Sequence, residues 1–200
     1  MVDASVMKYI VRTDEPVLQT MTSQRGAPLP LEPQEAMAMT DREHHYSLQL
    51  DWTGNRGSGT SSYTAYGREH RLSAPGKADI AGSADPAFRG DAACWNPEEL
   101  LVASLSSCHQ LWYLHLASAA GIAVLAYRDS PVGTMVETAD GGGHFSRVLL
   151  RPQVTVRADD DVARAEALHH DAHALCFIAN SVNFEVACEA SVVRAGSTPV

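Results

Sequence analysis

The 200-residue chain has no apolar run long enough to span a bilayer, and its first twenty residues lack the basic-then-greasy order of a secretory signal. On both counts it reads as a soluble, cytoplasmic protein with no membrane partner. Cysteine is scarce. Cys94, Cys108, Cys176 and Cys188 are too few and too widely spaced for a secreted disulfide scaffold, and none forms a CxxC pair. In a reducing compartment such cysteines are either buried thiols or working ones. Positive charge is also in short supply: the formal net charge is −9, and no basic stripe interleaved with aromatics offers a surface to a phosphate backbone. Nucleic acid is therefore not an expected partner.

The chain is 45% hydrophobic and 20% charged, which fits one globular domain with a sizeable core. Residues 1–40 carry turn-formers such as Gly26, Pro28 and Pro30, several methionines and no sustained periodicity, and are expected to form a flexible extension. The domain is expected over residues 41–195, with a disordered tail over 196–200. Tyr46, Leu48, Leu50 and Trp52 alternate with polar residues at a strand's period of two, and residues 63–68 and 70–74 can continue an antiparallel meander. Residues 75–95 carry no clear periodicity, and a connection that long is usually functional or mobile.

Asn96 can cap a helix, Pro97 suits its first position, and Glu98 and Glu99 complement its dipole. The helix should run to about Ala120 and stop at Gly121. Its leucines, Val102 and Trp112 leave almost no polar face, which predicts a central helix enclosed by protein. Strands are expected over 122–127, 132–138 and 148–156, a second helix over about 161–175, and a closing strand over 182–186. Strands, helix, strands, helix and strand make an α+β pattern.

A lone cysteine in a greasy helix is ordinarily a small buried hydrophobe. Cys108 lies about three turns into its helix, too deep for the dipole alone to activate a thiol, so a working Cys108 needs a cation or hydrogen-bond donors nearby. His109 points to another face of the helix and is poorly placed as its base, which makes a Cys–His hydrolase a weak reading. His169, His170, Asp171 and His173 have metal-compatible spacing, yet without an HExxH glutamate or matching cysteines they read as a solvated helical face. Cys94 and Cys188 read as structural.

The segment Asn96-Pro97-Glu98-Glu99-Leu100-Leu101-Val102-Ala103-Ser104-Leu105-Ser106-Ser107-Cys108-His109 resembles the first-cysteine helix of the OsmC/Ohr family of organic hydroperoxide reductases. Cys176-Phe177-Ile178-Ala179-Asn180-Ser181-Val182 looks like the segment around that family's second cysteine, and residues 82–90 look like the loop before the helix in one of its branches. The resemblance implies an OsmC-like fold with antiparallel sheets around the central helix, in an intertwined homodimer whose sites draw on both subunits. It further implies a peroxidatic Cys108 and a resolving Cys176, with Glu98 matching the family glutamate by position. Arg89 is the implied arginine, with Arg71 in reserve. A guanidinium near Cys108 would favour its thiolate and hold the peroxide oxygens, and Glu98 would fix the guanidinium's planar fork. The implied partners are a small-molecule hydroperoxide and an external dithiol reductant, a lipoyl-type one included; no metal, flavin or haem is required. The competing reading is a non-enzymatic ligand-binding or redox-sensing protein of the same fold.

Overall fold

The computed structural model describes residues 7–9 and 42–196. Most of the expected N-terminal extension, and residues 197–200 of the expected tail, lie outside the described residues. Three short strands, β1 (Met7–Tyr9) aside, precede the first helix: β2 (Gln49–Trp52), β3 (His70–Ser73) and β4 (Ile80–Gly82). They form an antiparallel sheet in the order β2-β3-β4. The meander is shorter than its alternation suggests, because residues 63–66 are turns and bends and 67–69 have no regular structure. The long connection is correspondingly less irregular, since it contains β4 and a single 3-10 turn at Pro86–Phe88 capped by Asp85.

Trp95 bridges Gly82, and the Ser83 amide donates to the Trp95 carbonyl at 2.9 Å, which ties the small sheet to the start of α1 (Pro97–Ala119). The local signals at that start all act. Asn96 accepts from the Glu99 amide at 2.7 Å, while the Glu99 carboxylate accepts from the Asn96 amide at 3.2 Å. This reciprocal cap stabilises the helix end by about 1 kcal/mol. At the other end Gly121 adopts φ +73°, a left-handed turn that a side chain would strain.

The large sheet holds β5 (Val124–Arg128), β6 (Val132–Glu137), β7 (Gly143–Leu150), β8 (Gln153–Val156) and β9 (Glu185–Arg194), with β1 also on β9. β7 and β8 both run parallel to β9 in one unbroken register, Leu150 opposite Cys188 and Gln153 opposite Ser191. They are two halves of one long strand interrupted at Arg151 and Pro152. β6 and β5 face them antiparallel, again in one register, Val132 opposite Leu149 and Arg128 opposite Gln153. Asp129 fills the interruption, accepting from the Arg151 amide at 2.7 Å and from Ser106 Oγ of α1 at 2.5 Å. The sheet is thus mixed, not antiparallel throughout as expected, and the closing strand is twice the anticipated length. Cys188 pairs with both Leu150 and Tyr9, so β9 is interior, with β1 on its far side.

Helices α1 and α2 (Val162–Leu175) lie on this sheet. Leu105, His109, Tyr113 and Ala117, spaced one turn apart, are the buried stripe of α1. Tyr113 and Ala117 pack with Leu168, Ala172 and Val154, whereas Leu105 packs with Val148 and Val186. The expectation of an enclosed helix fails for the single chain. Its opposite face is open, with Leu111 66% exposed. Among the described residues no helix is long and apolar enough to cross a membrane.

Candidate functional site: a cysteine pair at an aromatic pocket

Cys108 sits at the edge of the buried stripe of α1 and is half-buried. Cys176 caps the C-terminus of α2, where its amide donates to the His173 carbonyl at 3.2 Å, and its thiol is 1% exposed. Although they are 68 positions apart, both thiols are free and lie close enough for Cys108 to act on the Cys176 thiol. The turn after Cys176 is fastened by Asn180 N to the Cys176 carbonyl at 3.0 Å and Ser181 Oγ to the Phe177 carbonyl at 2.7 Å. This fastening brings the Ala179 amide to 3.4 Å from Cys176 Sγ as a donor. Burial pushes the Cys176 thiol up to about 12, with Cys108 adding to the rise and the Ala179 and Ile178 amides opposing it. Cys176 is therefore a neutral thiol at rest.

A pocket of about 360 Å³ opens on Cys108, lined by Leu111, Trp112, His115 and Phe177. Cys108, Trp112 and His115 share one helix face, at spacings of four and three. Trp112 stacks edge-on against Phe177 at 5.5 Å and against His115 at 5.9 Å. The pocket is apolar apart from the thiol and the imidazole.

Glu98 lines two adjoining clefts at the start of α1, of about 720 and 260 Å³. The smaller also holds Arg68, His70 and Asp85. Arg68 lies between two aromatic faces, 4.3 Å from the Tyr63 centroid and 4.2 Å from that of Tyr66, and donates to the carbonyls of both residues. Arg89, in a left-handed conformation at φ 68°, lies 5.9 Å from the Tyr63 ring. Arg71 is engaged on the small sheet with Asp51 at 3.2 Å and Asp79 at 3.6 Å. No ion pair joins Glu98 to an arginine among the described residues. Ten residues of helix separate Glu98 from Cys108, about 15 Å along the axis, so within one chain the carboxylate and the thiol belong to different clefts.

The other face of this region is polar but buried. His109 and His169 are 0% and 1% exposed, with His109 Nε2 at 3.0 Å from His169 Nδ1 and at 3.8 Å from Cys188 Sγ. These three supply ligand atoms within 4.8 Å of one another, the spacing of a metal site. Ring orientation argues against that use. The centroids lie 5.3 Å apart in rings 5° from coplanar, and 5.3 Å less the 3.0 Å contact leaves one imidazole radius at each end. The two nitrogens therefore point at each other, as a hydrogen bond requires, and not at a shared third point, as ligation requires. Burial holds His109 down to about 4 and His169 to about 3, with smaller contributions from His173 and His109 respectively. The dyad is neutral and shares one proton.

Residues 90–191 match the family model described as OsmC-like protein. The chain belongs to the OsmC-like family. It is similar to an OsmC-like protein of unknown function from Vibrio cholerae, with 32% identity over 76% of this chain and all of that one, at a TM-score of 0.66. The fold is shared with an organic hydroperoxide resistance protein from Elizabethkingia anophelis, at 15% identity, 76% and 99% coverage and a TM-score of 0.52. It is also shared with the organic hydroperoxide resistance protein OsmC from Legionella pneumophila, at 18%, 75% and 98%, and 0.52. No curated protein matches the chain.

In this OsmC-like chain the structure redistributes several expected roles. Trp112 lines the Cys108 pocket, whereas its neighbour Tyr113 is wholly buried on the other face against His169. Leu111 and Phe177 supply the apolar wall. His169 belongs to the core, not to a solvated face, because α2 turns it inward beside Leu168 and Ala172. Arg68 escaped sequence reading because it lies in a stretch taken as strand; the aromatic spacing Tyr63, Tyr66, Arg68 was its one local signal.

The neutral dyad predicts acid sensitivity. Unfolded histidines take up protons below about pH 6.5, while these two resist until about 4 and 3. Their contribution is whole above pH 6.5 and falls on acidification by about 1.4 kcal/mol per pH unit for each histidine. The urea midpoint should drop steeply between pH 6.5 and 4, and His109→Leu/His169→Phe should flatten that slope. An unaltered slope in the double variant would assign the acid loss to other groups.

Proposed function

We propose that this OsmC-like protein is a thiol-dependent reductase of organic hydroperoxides, with Cys108 peroxidatic and Cys176 resolving. The observation that carries the reading is the proximity of the Cys176 thiol to Cys108, with Cys108 opening on an apolar pocket. The Cys108 thiolate attacks the distal peroxide oxygen, the O–O bond breaks, and Cys108 becomes a sulfenic acid while the alkoxide takes a proton to leave as alcohol. Cys176 then attacks the sulfenic sulfur; its thiol proton joins the departing hydroxide as water, and an S–S bond forms. An external dithiol exchanges with that bond, is itself oxidised, and restores both thiols.

A guanidinium completes the site by stabilising the Cys108 thiolate and the developing alkoxide, and Glu98 holds that guanidinium's planar fork in place. Arg68 has the stronger geometric support, because it shares a cleft with Glu98, and Arg89 stands behind it across Tyr63. The 15 Å between Glu98 and Cys108 on one helix is bridged by a second copy, whose Arg68–Glu98 corner faces this chain's Cys108. Exposure of Leu111 and Phe177 at 66% and 68% supports that pairing, since such a face is costly to leave in water.

The test is consumption of cumene hydroperoxide against hydrogen peroxide with dithiothreitol as reductant. The organic peroxide should be reduced faster, and Trp112→Ala should raise its KM about tenfold, the loss expected for one buried aromatic wall, with the hydrogen peroxide rate within about twofold. Absence of turnover with either peroxide would favour the ligand-binding or redox-sensing reading, and equal use of both would remove the pocket from specificity.

A further inference from the structure

The two helices that carry the cysteines pack against each other over several turns. Tyr113 stacks on His169 at 4.0 Å, His109 bonds His169, Ala117 shares a core cluster with Ala165 and Leu168, and Trp112 meets Phe177 at 5.5 Å just beyond Cys176. Apolar packing along such a seam resists separation more than it resists sliding or rotation, because it is not directional. Cys176 lies seven residues beyond His169, about 10 Å along α2. A modest shift of α2 along or about the seam would therefore carry it out of reach of Cys108.

The directional feature of this seam is the His109–His169 hydrogen bond, collinear, coplanar and clamped on one side by the Tyr113 ring. We propose that this buried dyad is a positioning pair that sets the angle of α2 on α1, and with it the effective concentration of Cys176 at Cys108. It costs stability to keep. His109 Nδ1 and His169 Nε2 are buried without partners among the described residues, so each gives up its bonds to water unreplaced. An apolar pair would fill the same space without that cost. The inference rests on reading Cys108 and Cys176 as an exchanging pair, but not on peroxide being the oxidant.

The reduction potential of the Cys108–Cys176 disulfide, measured by equilibration of the full chain with reduced and oxidised dithiothreitol, tests it separately from peroxidase activity. His109→Leu/His169→Phe removes the hydrogen bond while keeping apolar volume and the stack on Tyr113. It is expected to unfold no more readily than wild type at neutral pH, yet to lose about tenfold in the exchange constant, about 30 mV towards easier reduction. His169→Gln, which retains a side-chain partner for His109, should stay within about threefold of wild type and serves as the readout if the double variant does not fold. A folded double variant with the wild-type potential would overturn the proposal, and so would a loss in His169→Gln as large as tenfold. If wild type forms no Cys108–Cys176 disulfide at all, the resolving role of Cys176 fails first.

Discussion

Cys108→Ser is expected to lower cumene hydroperoxide turnover by roughly 10³-fold or more, because a serine hydroxyl at neutral pH is not a nucleophile towards peroxide oxygen and removing the nucleophile removes the whole pathway. Cys176→Ser should behave differently. Its first equivalent of peroxide should be consumed at nearly the wild-type rate, since the attack on oxygen does not use Cys176. Turnover should then stall on the Cys108 sulfenic acid, detectable by mass as a one-oxygen gain or as an adduct with a cyclic diketone. The reason lies in the resting state. The Cys176 thiol is held up to about 12 by burial and by its cysteine neighbour, so it does not compete for peroxide and acts only when a sulfenic sulfur is already in contact with it. Equal loss in the first and later turnovers of Cys176→Ser would show instead that the second sulfur acts in the attack itself.

The second large effect concerns the helix that carries both Glu98 and Cys108. Glu98→Ala and Cys108→Ser should each be nearly inactive alone. If each site takes its thiol from one copy and its carboxylate from the other, mixing the two variants after partial denaturation and refolding should restore about one quarter of wild-type activity. Half of the dimers are then mixed, and each mixed dimer holds one intact site. If both groups served the same site from one chain, the mixture would stay as inactive as its parts. The 15 Å between them along α1 makes restoration the expected result. Light scattering on the mixture separates a failed exchange of subunits from a failed complementation.

Features governed by neighbours in sequence were legible without the fold. Asn96, Pro97 and Glu99 announce the start of α1, and Gly121 announces its end, because caps are decided within a single turn. The alternation of Val182, Phe184 and Val186 points to a closing strand but places it three residues early, since β9 begins at Glu185, and it says nothing of direction; the parallel pairing of β9 with β7 and β8 depends on chain crossings that no local pattern encodes. Likewise, residues 63–68 have a strand's composition, yet Arg68 folds them into a turn by bonding two of their carbonyls.

The site divides in the same way. Nothing in the spacing of Cys108 and Cys176 says that they meet; the resemblance implied it, and the packing of α1 on α2 brings the two thiols together. His169 has the ordinary helical spacing of a surface ligand, and only the packing of α2 turns it inward to His109. The arginine was sought in the loop before the helix, where motif similarity is densest. The guanidinium that shares a cleft with Glu98 comes from a turn thirty residues earlier, brought there by the bridge between Gly82 and Trp95.

The interior position of β9 has a consequence for how the molecule is made. Glu185–Arg194 is the last strand in sequence yet pairs with β1 on one side and with both halves of the long β7–β8 strand on the other. A ribosome delivers it after the other described elements. Until then the long strand has an open edge and the two helices have only part of their platform, which calls for a late, cooperative closure dominated by contacts distant in sequence. Truncation just before Glu185 should leave an aggregation-prone chain, and in the cell the long strand stays exposed until Glu185–Arg194 has emerged to cover it.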